Sequence, residues 1–286
     1  MAKVQHIAAA TGNEKEFVKL FDQLTYCRSS WQVWEDLVTV MACSIANSVD
    51  RTEKHFENRE KQYERAIKNL GGVDVPARMF ALLVNTLEEN PDQDFLGKLY
   101  MNLNLGSHWH GQFFTPYHVC ELMAKMQIEE ADVKREIESK GYISICDPCV
   151  GGGAMLIAAA SAFRKLKINY QDHAVFVGQD LDSVVAKMAY IQISLLGCPG
   201  YITVGNSLTN PQTGPVLFPR ESEGQEVWIT PMFMSQIWEL RRTKEMFLGL
   251  FRGTETTVKT VEKEHGRFYF YFDFREQEEL QYERRK

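Results

Sequence analysis

The segment Asp147–Gly153 combines a carboxylate, a proline and a run of glycines, and it is the part of this sequence best suited to binding chemistry. It follows an apolar, β-branched run and precedes another apolar run that begins at Ala154, so it lies where a strand passes into a helix. Glycines there let backbone amides approach a ligand closely, and α/β sheets bind ligands at the carboxyl ends of their strands. Leu156 stands where a dinucleotide fingerprint has its third glycine, which disfavours a nicotinamide cofactor. Taken alone, the segment also fits a glycine loop that binds nothing.

Two further predicted strands end in polar side chains that point to the same ligand. Val175–Asp180 closes on a carboxylate near the offset of about 20 residues at which an acidic side chain accepts hydrogen bonds from ribose hydroxyls. Tyr201–Val204 is followed by Gly205 and Asn206, which sets a short amide beside the same crevice. An amide is able to read an adenine edge by hydrogen bonds. The residues at all three strand ends therefore predict a nucleoside-like ligand.

These segments resemble the S-adenosylmethionine motifs of adenine-N6 DNA methyltransferases. The motifs that carry the resemblance are Gly111–Pro116, Asp147–Gly153, Gly178–Asp180 and Gly205–Leu208. Their order is similar to that of the modification subunits of type I restriction systems, in which an element like Asp94–Tyr100 lies upstream. The resemblance runs from about Asp94 to Phe233. It implies an α/β fold in which a helical N-terminal domain precedes a Rossmann-like, S-adenosylmethionine-dependent methyltransferase domain.

The resemblance also implies which residues hold the methionine part of the cofactor. Thr115 and Pro116, which follow Phe114, are the residues expected to cover the methionine carboxylate. Asp147, followed by Pro148, is expected to hold the methionine amino group. All five residues are therefore predicted cofactor contacts.

A second set of residues is implied for the adenosine part. The backbone from Gly151 to Gly153 is expected to lie against the cofactor, and Asp180 is expected to accept hydrogen bonds from the ribose hydroxyls. Leu181 is expected to pack on the adenine. Asn206 stands where the family usually has an aspartate that reads the adenine amino group, a task that an asparagine performs only through its carbonyl oxygen.

The catalytic motif departs from the family pattern. The family carries Asn/Asp-Pro-Pro-aromatic after the fourth strand, where the amide holds the amine of a flipped adenine and the ring stacks on the base. By resemblance, the matching residues here are Thr230, Pro231, Met232 and Phe233. A hydroxyl thus replaces the amide. A rival position, Asn210–Thr213, keeps the asparagine and one proline but follows closely after Asn206.

This departure leaves two functions open. The first is an S-adenosylmethionine-dependent adenine-N6 DNA methyltransferase, or its modification subunit, that flips the base and transfers the methyl group directly. The second is a catalytically impaired protein that keeps the fold and acts as a cofactor-binding or DNA-binding regulatory partner. The stretch after Phe233 is short for a sequence-recognition region, so we expect a specificity subunit or a second protomer to supply one.

Two domains are expected to position these motifs, a helical N-terminal domain over residues 1–105 and a methyltransferase-like domain over residues 106–286. Apolar residues spaced by three and four predict a first helix, opened by a capping box between Asn13 and Glu16. Further helices are predicted to begin at Ser30, at about Thr52 and near Pro76, the second of them ending at Gly71.

The second domain shows β-rich runs that alternate with helical stretches, a pattern that predicts a parallel sheet. The strands of this sheet are predicted at 142–146, 174–177 and 201–204, separated by helices at 154–166 and 183–196. A further strand at 227–230 and a helix at 235–251 are predicted to follow. An alternating aromatic run over 267–274 is predicted to be the second strand of a hairpin that turns at His265 and Gly266.

Composition and charge narrow the classes of function. With 38 acidic and 32 basic residues the formal charge is −6, so any contact with DNA is expected to use local patches or a partner. The 44% of apolar and 24% of charged residues are typical of soluble proteins, and neither a bilayer-spanning stretch nor a signal peptide is expected. Scattered cysteines indicate reduced thiols in the cytoplasm. Cys146 and Cys149 have metal-ligand spacing but no second pair accompanies them, so no metal is expected.

Overall fold

The computed structural model describes residues 12–106, 113–252 and 267–269. Helices fill the chain up to the first strand. They are α1 (Asn13–Thr25), α2 (Ser30–Val49), α3 (Glu53–Leu70), α4 (Asp74–Glu89), α5 (Phe95–Asn102), α6 (Tyr117–Gln127) and α7 (Glu130–Lys140). The predicted helical character of this region is confirmed.

The predicted helix starts agree with the structure to within a turn. Helix α2 begins at Ser30 and α3 begins at Glu53. Helix α4 begins at Asp74, and its first turn contains Pro76, where the missing amide hydrogen of proline costs no helical hydrogen bond. Gly71 ends α3 with a φ of 84°, a left-handed conformation that glycine adopts without steric strain.

The predicted capping box at the start of α1 is wrong. Asn13 is the first residue inside the helix, and Gly12 occupies the capping position, so no side chain caps the amide groups of the first turn. The Asn13 amide instead donates to Oε1 of Glu89 at 3.2 Å, across to the end of α4. A tertiary contact has therefore replaced the local one.

The remaining elements alternate between strand and helix. They are β1 (Ile143–Asp147), α8 (Ala154–Lys165), α9 (Tyr170–His173), β2 (Ala174–Asp180), α10 (Ser183–Leu195), β3 (Gly200–Val204), β4 (Glu226–Ile229), a 3-10 turn (Pro231–Met234), α11 (Gln236–Arg252) and β5 (Arg267–Tyr269). The predicted α/β class is confirmed, with small shifts at the ends of the elements. The predicted turn at 265–266 and the residues 270–274 lie outside the described residues.

The sheet has the order β4-β3-β2-β1-β5. Strands β1, β2 and β3 are parallel, and β5 pairs in parallel with β1. The predicted parallel arrangement of β1, β2 and β3 is confirmed, and the later predicted strand β4 runs antiparallel to β3. The reason is the connection over 205–225, which holds no helix, so the chain turns back along β3 instead of crossing over the sheet.

Alternate residues of the strands face two different apolar layers. Ile145 and Phe176 belong to a large hydrophobic cluster that includes α8, α10 and the N-terminal helices. Val177 belongs to a smaller cluster on the other face, where Phe233 and Trp238 cover the sheet. Side chains in a strand alternate between faces, so each strand contributes to both layers.

The N-terminal helices share their core with the sheet. Trp34 on α2 is fully buried, and its indole Nε1 lies 3.4 Å from Sδ of Met188 on α10. One hydrophobic cluster runs without interruption from Phe17 to Trp228. The division at residue 105 therefore remains a prediction. None of the described helices has the length and apolar character that a transmembrane span requires.

Candidate functional site

The glycine loop between β1 and α8 is shaped by two close approaches. Gly151 has a φ of 54°, and a Cβ added to it would lie 3.4 Å from the ring of Phe114. Gly153 has a φ of 97°, and a Cβ there would lie 3.1 Å from Cα of Ala189 on α10. Larger residues at these two positions would therefore strain the backbone and push the loop away from its neighbours.

Asp180 closes β2 beside this loop. Its Oδ2 accepts a hydrogen bond from the backbone N–H of Gly151 at 2.9 Å, and its Oδ1 accepts one from the N–H of Asp182 at 3.0 Å. Burial raises the pKa of Asp180, whereas these backbone donors lower it. A carboxylate offers about four acceptor positions, so the side chain keeps acceptor capacity for hydroxyl groups of a ligand.

Asp147 closes β1, the neighbouring strand, and is buried. Its Oδ1 accepts a hydrogen bond from the backbone N–H of Cys149 at 3.1 Å. Burial, with a smaller contribution from the charge of Asp180, raises the pKa of Asp147 to about 7 against the effect of that hydrogen bond. No basic side chain of the described residues offsets this shift. The two carboxylates thus form a site that favours a cationic or hydroxyl-bearing ligand.

The Phe-Thr-Pro segment lies against the glycine loop. The half-buried ring of Phe114 stacks on Tyr100, with 5.3 Å between ring centroids, and lies next to Gly151. Thr115 and Pro116 are exposed and lead into α6. The structure therefore brings this segment and the two strand ends together, while Gly111 and Gln112 lie outside the described residues.

The two residues predicted to contact the adenine of the cofactor, Leu181 and Asn206, differ in how available their side chains are. Leu181 follows Asp180 and is 69% exposed, so its side chain is open to a planar ligand. Asn206 follows β3, but its Oδ1 accepts hydrogen bonds from the backbone N–H groups of Leu208 at 2.9 Å and Thr209 at 3.1 Å. The carbonyl oxygen assigned to the adenine amino group is thus engaged in a turn, and the amide Nδ2 is the group left to donate.

The segment Thr230–Phe233 lies at the opposite end of the sheet. Because β4 is antiparallel, Ile229 pairs with Tyr201 at the start of β3, whereas the glycine loop follows the end of β1. Thr230 is 0% exposed. Its hydroxyl donates to the carbonyl of Cys198 at 2.8 Å and accepts from the N–H of Gly200 at 2.9 Å.

The rest of this segment is equally engaged in packing. Phe233 is buried, with its ring 5.9 Å from that of Tyr201 and 6.0 Å from that of Trp238, measured between centroids. The Arg242 guanidinium lies 4.9 Å from the Phe233 ring, and its NH1 donates to the Phe233 carbonyl at 2.9 Å. Pro231 and Met232 are half-buried between these anchors. The structure does not bring these four residues to the glycine loop.

The rival segment Asn210–Thr213 is held at the carboxyl ends of the strands. The buried side chain of Gln179 on β2 donates to the carbonyl of Asn210 at 2.9 Å and accepts from the N–H of Gln212 at 2.8 Å. Gln225, just before β4, also donates to the Asn210 carbonyl, at 2.7 Å. Of the two candidate catalytic segments, Asn210–Thr213 is the one that lies at the same end of the sheet as Asp180.

Sequence reasoning missed a buried network behind the glycine loop. Gln192 on α10 donates through Nε2 to Oδ1 of Asp94 at 2.7 Å and to the carbonyl of Gly152 at 2.8 Å. Its Oε1 accepts from the N–H of Leu96 at 3.0 Å, and Asp94 also caps α5 through the N–H of Gly97. The available signal was a glutamine inside a mostly apolar helical run.

Among the described residues, no group of three or more histidine, cysteine or acidic side chains is placed to hold a metal ion. Cys146 is half-buried and Cys149 is exposed, and neither forms a disulfide. The Cys149 Sγ lies 3.9 Å from Oγ of Ser207, which joins the glycine loop to the segment after β3. This contact is consistent with packing of the two cysteines within the loop.

Comparisons with known proteins were made for sequence and for structure. A search of curated proteins found no significant match. Among solved structures, a type I restriction-modification system methyltransferase subunit from Streptococcus thermophilus is 18% identical and has a TM-score of 0.36; the match covers 72% of this chain and 46% of that one. A protein named as a class I S-adenosylmethionine-dependent methyltransferase from Listeria monocytogenes is 16% identical with a TM-score of 0.40, covering 73% and 58%. The chain thus spans about half the length of these two proteins.

The sequence profile of one family gives the decisive match. It covers residues 92–270, which is more than half of the chain and includes the α5 element, the glycine loop and the ends of β2 and β3. These are the elements whose side chains converge around Asp147 and Asp180. This chain belongs to the N-6 DNA methylase family.

Proposed function

We propose that this chain binds S-adenosylmethionine in the crevice between the glycine loop, Asp180 and Phe114, and that it transfers methyl groups to adenine N6 in DNA, alone or as a modification subunit. The observation that carries the proposal is the pair of carboxylates at the ends of neighbouring parallel strands, the buried Asp147 and the half-buried Asp180. The cofactor, when bound, supplies an electrophilic methyl group on a sulfonium.

The crevice residues fit the donor groups of this cofactor. The remaining acceptor positions of Asp180 suit the two ribose hydroxyls, and the Asp147 carboxylate suits the methionine ammonium, which would favour its ionised form. The exposed side chain of Leu181 suits the adenine face. Asn206 is assigned a donor role through Nδ2 toward a ring nitrogen of the adenine, because its carbonyl oxygen is engaged.

For methyl transfer we favour Asn210 over Thr230 as the residue that holds the target amine. Asn210 lies at the end of the sheet that carries the carboxylates, whereas Thr230 uses both hydrogen-bonding functions of its hydroxyl within the core. The same burial of Thr230 and Phe233 supports a second candidate function, a family member that binds the cofactor or DNA and regulates a partner without catalysis.

Adenine specificity, DNA binding and assembly with other chains are part of this proposal. The net charge of −6 favours DNA delivery by a specificity subunit or a second protomer over binding by this chain alone. None of the six cysteines forms a disulfide, which supports a reducing compartment such as the cytoplasm.

Calorimetry with S-adenosylmethionine tests the binding step. Replacing Asp180 by Ala should weaken binding by about 1–3 kcal/mol, or roughly 5- to 150-fold, the range for hydrogen bonds to a charged group. Glu138→Ala removes an exposed carboxylate on α7 and should bind like the wild type. An unchanged affinity in Asp180→Ala would reject the site.

Transfer of a labelled methyl group to DNA tests the catalytic step. With and without candidate partner subunits, Asn210→Ala should abolish transfer, while Thr230→Val, if folded, should retain it. Transfer lost in Thr230→Val but kept in Asn210→Ala would reverse our choice. Cofactor binding without transfer in the presence of every partner would favour the regulatory protein.

A further inference from the structure

A cleft of about 580 Å³ in the described part of the chain lies apart from the glycine loop and the strand ends. It lies among the N-terminal helices, between α2, α3 and the middle of α10. Its charged lining residues are Arg28, Arg65, Lys187, Glu35 and Asp36. A cleft of this size falls within the range of about 300–1,000 Å³ that is usual for small-molecule sites.

Three basic side chains converge on the cleft. Lys187 is only 6% exposed, and its Nζ contacts Oε1 of Gln62 at 3.5 Å and lies 5.4 Å from the centre of the Trp228 ring. Among the described residues, none of Lys187, Arg28 and Arg65 forms an ion pair within 4.0 Å. A buried ammonium is costly, and the amide oxygen of Gln62, the Trp228 ring and the more distant charge of Glu35 offset that cost only in part.

Two acidic side chains share the cleft. Burial raises the pKa of Glu35, and it also raises the pKa of Asp36, against the effect of a hydrogen bond from Asn69 at 3.2 Å. Both are hydrogen-bond acceptors that favour donors on a ligand, such as hydroxyl or amine groups. The cleft therefore combines an anion-binding side with an acceptor side.

We propose that this cleft binds a phosphate-bearing ligand of nucleotide size, with the phosphate held by Arg28, Arg65 and Lys187 and the sugar or base donors held by Glu35 and Asp36. Guanidinium groups present paired N–H donors that match phosphate oxygens, and a lysine ammonium adds a point charge. The phosphate belongs either to a free nucleotide or to a nucleic-acid strand. The inference is independent of the proposed function, because the site shares none of the crevice residues.

Titration of the full-length protein with uridine 5′-monophosphate tests the site, since this probe lacks the adenine that the other crevice is proposed to take. We expect measurable binding of the nucleotide and at least tenfold weaker binding of uridine. The double variant Arg28→Met/Arg65→Met should lose at least tenfold in affinity. The matched variant Lys61→Met/Lys68→Met, which removes two exposed charges from α3 outside the cleft, should bind like the wild type.

Two further measurements test the role of Lys187 and identify the source of the phosphate. Lys187→Met should also weaken the affinity for uridine 5′-monophosphate at least tenfold. Thermal melting of this variant is measured as well, to show that the affinity is that of folded protein. Competition by a single-stranded oligonucleotide would assign the phosphate to a nucleic-acid strand, and its failure to compete would assign it to a free nucleotide. Equal affinity for nucleotide and uridine, equal affinity in both double variants, or no binding at millimolar concentration would overturn the proposal.

Discussion

The hydroxyl of Thr230 offers the sharpest test of where the functional end of the sheet lies. Replacing Thr230 by Val keeps the shape of the side chain and removes only its hydrogen-bonding capacity. Two buried groups then lose their partner, the carbonyl of Cys198 and the backbone N–H of Gly200. The second of these belongs to the first residue of β3, so the loss falls on the sheet itself.

The expected magnitude follows from the burial of these groups. Leaving one buried donor or acceptor unsatisfied costs about 1–3 kcal/mol. Partial relaxation at the edge of the strand reduces the sum, so we expect Thr230→Val to lower the free energy of unfolding by about 2–4 kcal/mol. That is a large fraction of the roughly 5–15 kcal/mol that stabilise a typical domain. Thr230→Ser keeps the hydroxyl and should lose less.

Urea unfolding followed by tryptophan fluorescence provides the assay, because Trp228 and Trp238 are fully buried near this segment. The control is Thr243→Val, which removes an exposed hydroxyl from α11 and should change stability by less than about 0.5 kcal/mol. At a urea concentration where Thr230→Val is folded, its affinity for S-adenosylmethionine should equal that of the wild type, since the segment lies at the other end of the sheet.

Two results would refute this reasoning. The first is a Thr230→Val variant as stable as the wild type, which would mean that the two hydrogen bonds are absent. The second is a gain of methyl transfer in Thr230→Asn. We expect that larger amide to destabilise a fully buried position instead, because overpacking typically costs 1–3 kcal/mol.

Four further predictions concern the glycine loop and the residues that support it. Because the pKa of Asp147 is raised to about 7 in the folded chain, the folded state binds the proton more tightly than the unfolded state. The free energy of unfolding should therefore fall as pH rises from about 4 through 7. Asp147→Asn should flatten that decline, as measured by urea titrations at several pH values. Cofactor affinity measured by calorimetry should rise toward pH 7, since binding the ammonium requires the ionised carboxylate, and a pH-independent affinity would contradict this role. Gly151→Val should abolish binding, because its backbone is left-handed and its side chain would meet the ring of Phe114; binding within threefold of wild type would contradict it. Gln192→Leu leaves the carbonyl of Gly152 unsatisfied and should cost about 2–4 kcal/mol in urea unfolding, whereas a loss below 0.5 kcal/mol would show that the network contributes little.

Local patterns in the sequence predicted the elements of the cofactor end. The glycine loop, the carboxylate that ends β2 and the polar residues after β3 each follow a short apolar run, and the carboxyl ends of parallel strands meet at one edge of a sheet. Asp147 and Asp180 could therefore be placed together without coordinates. The helices that begin at Ser30 and Glu53 could also be predicted from the sequence, because their apolar residues repeat with helical spacing.

Contacts between segments that are distant in the chain could not be predicted from local patterns in the sequence. The network of Gln192 joins residues far apart in the chain, and its partners Asp94 and Gly152 give no local sign of it. Asn13 likewise contacts Glu89 instead of capping its own helix. In each case the side chain meets a partner whose position depends on how helices pack.

The sequence by itself determined the α/β class, the position of the glycine loop and the pairing of the two carboxylates, because these depend on periodicity and on the order of strands. Only the tertiary structure decided which end of the sheet each later motif reaches. The segment after β4 matches the family's catalytic position along the chain, but β4 turns back along β3 and carries Thr230 to the far end. Strand direction is set by the connection and by the packing of Phe233 and Trp238 under the sheet, and no local pattern in the sequence encodes it.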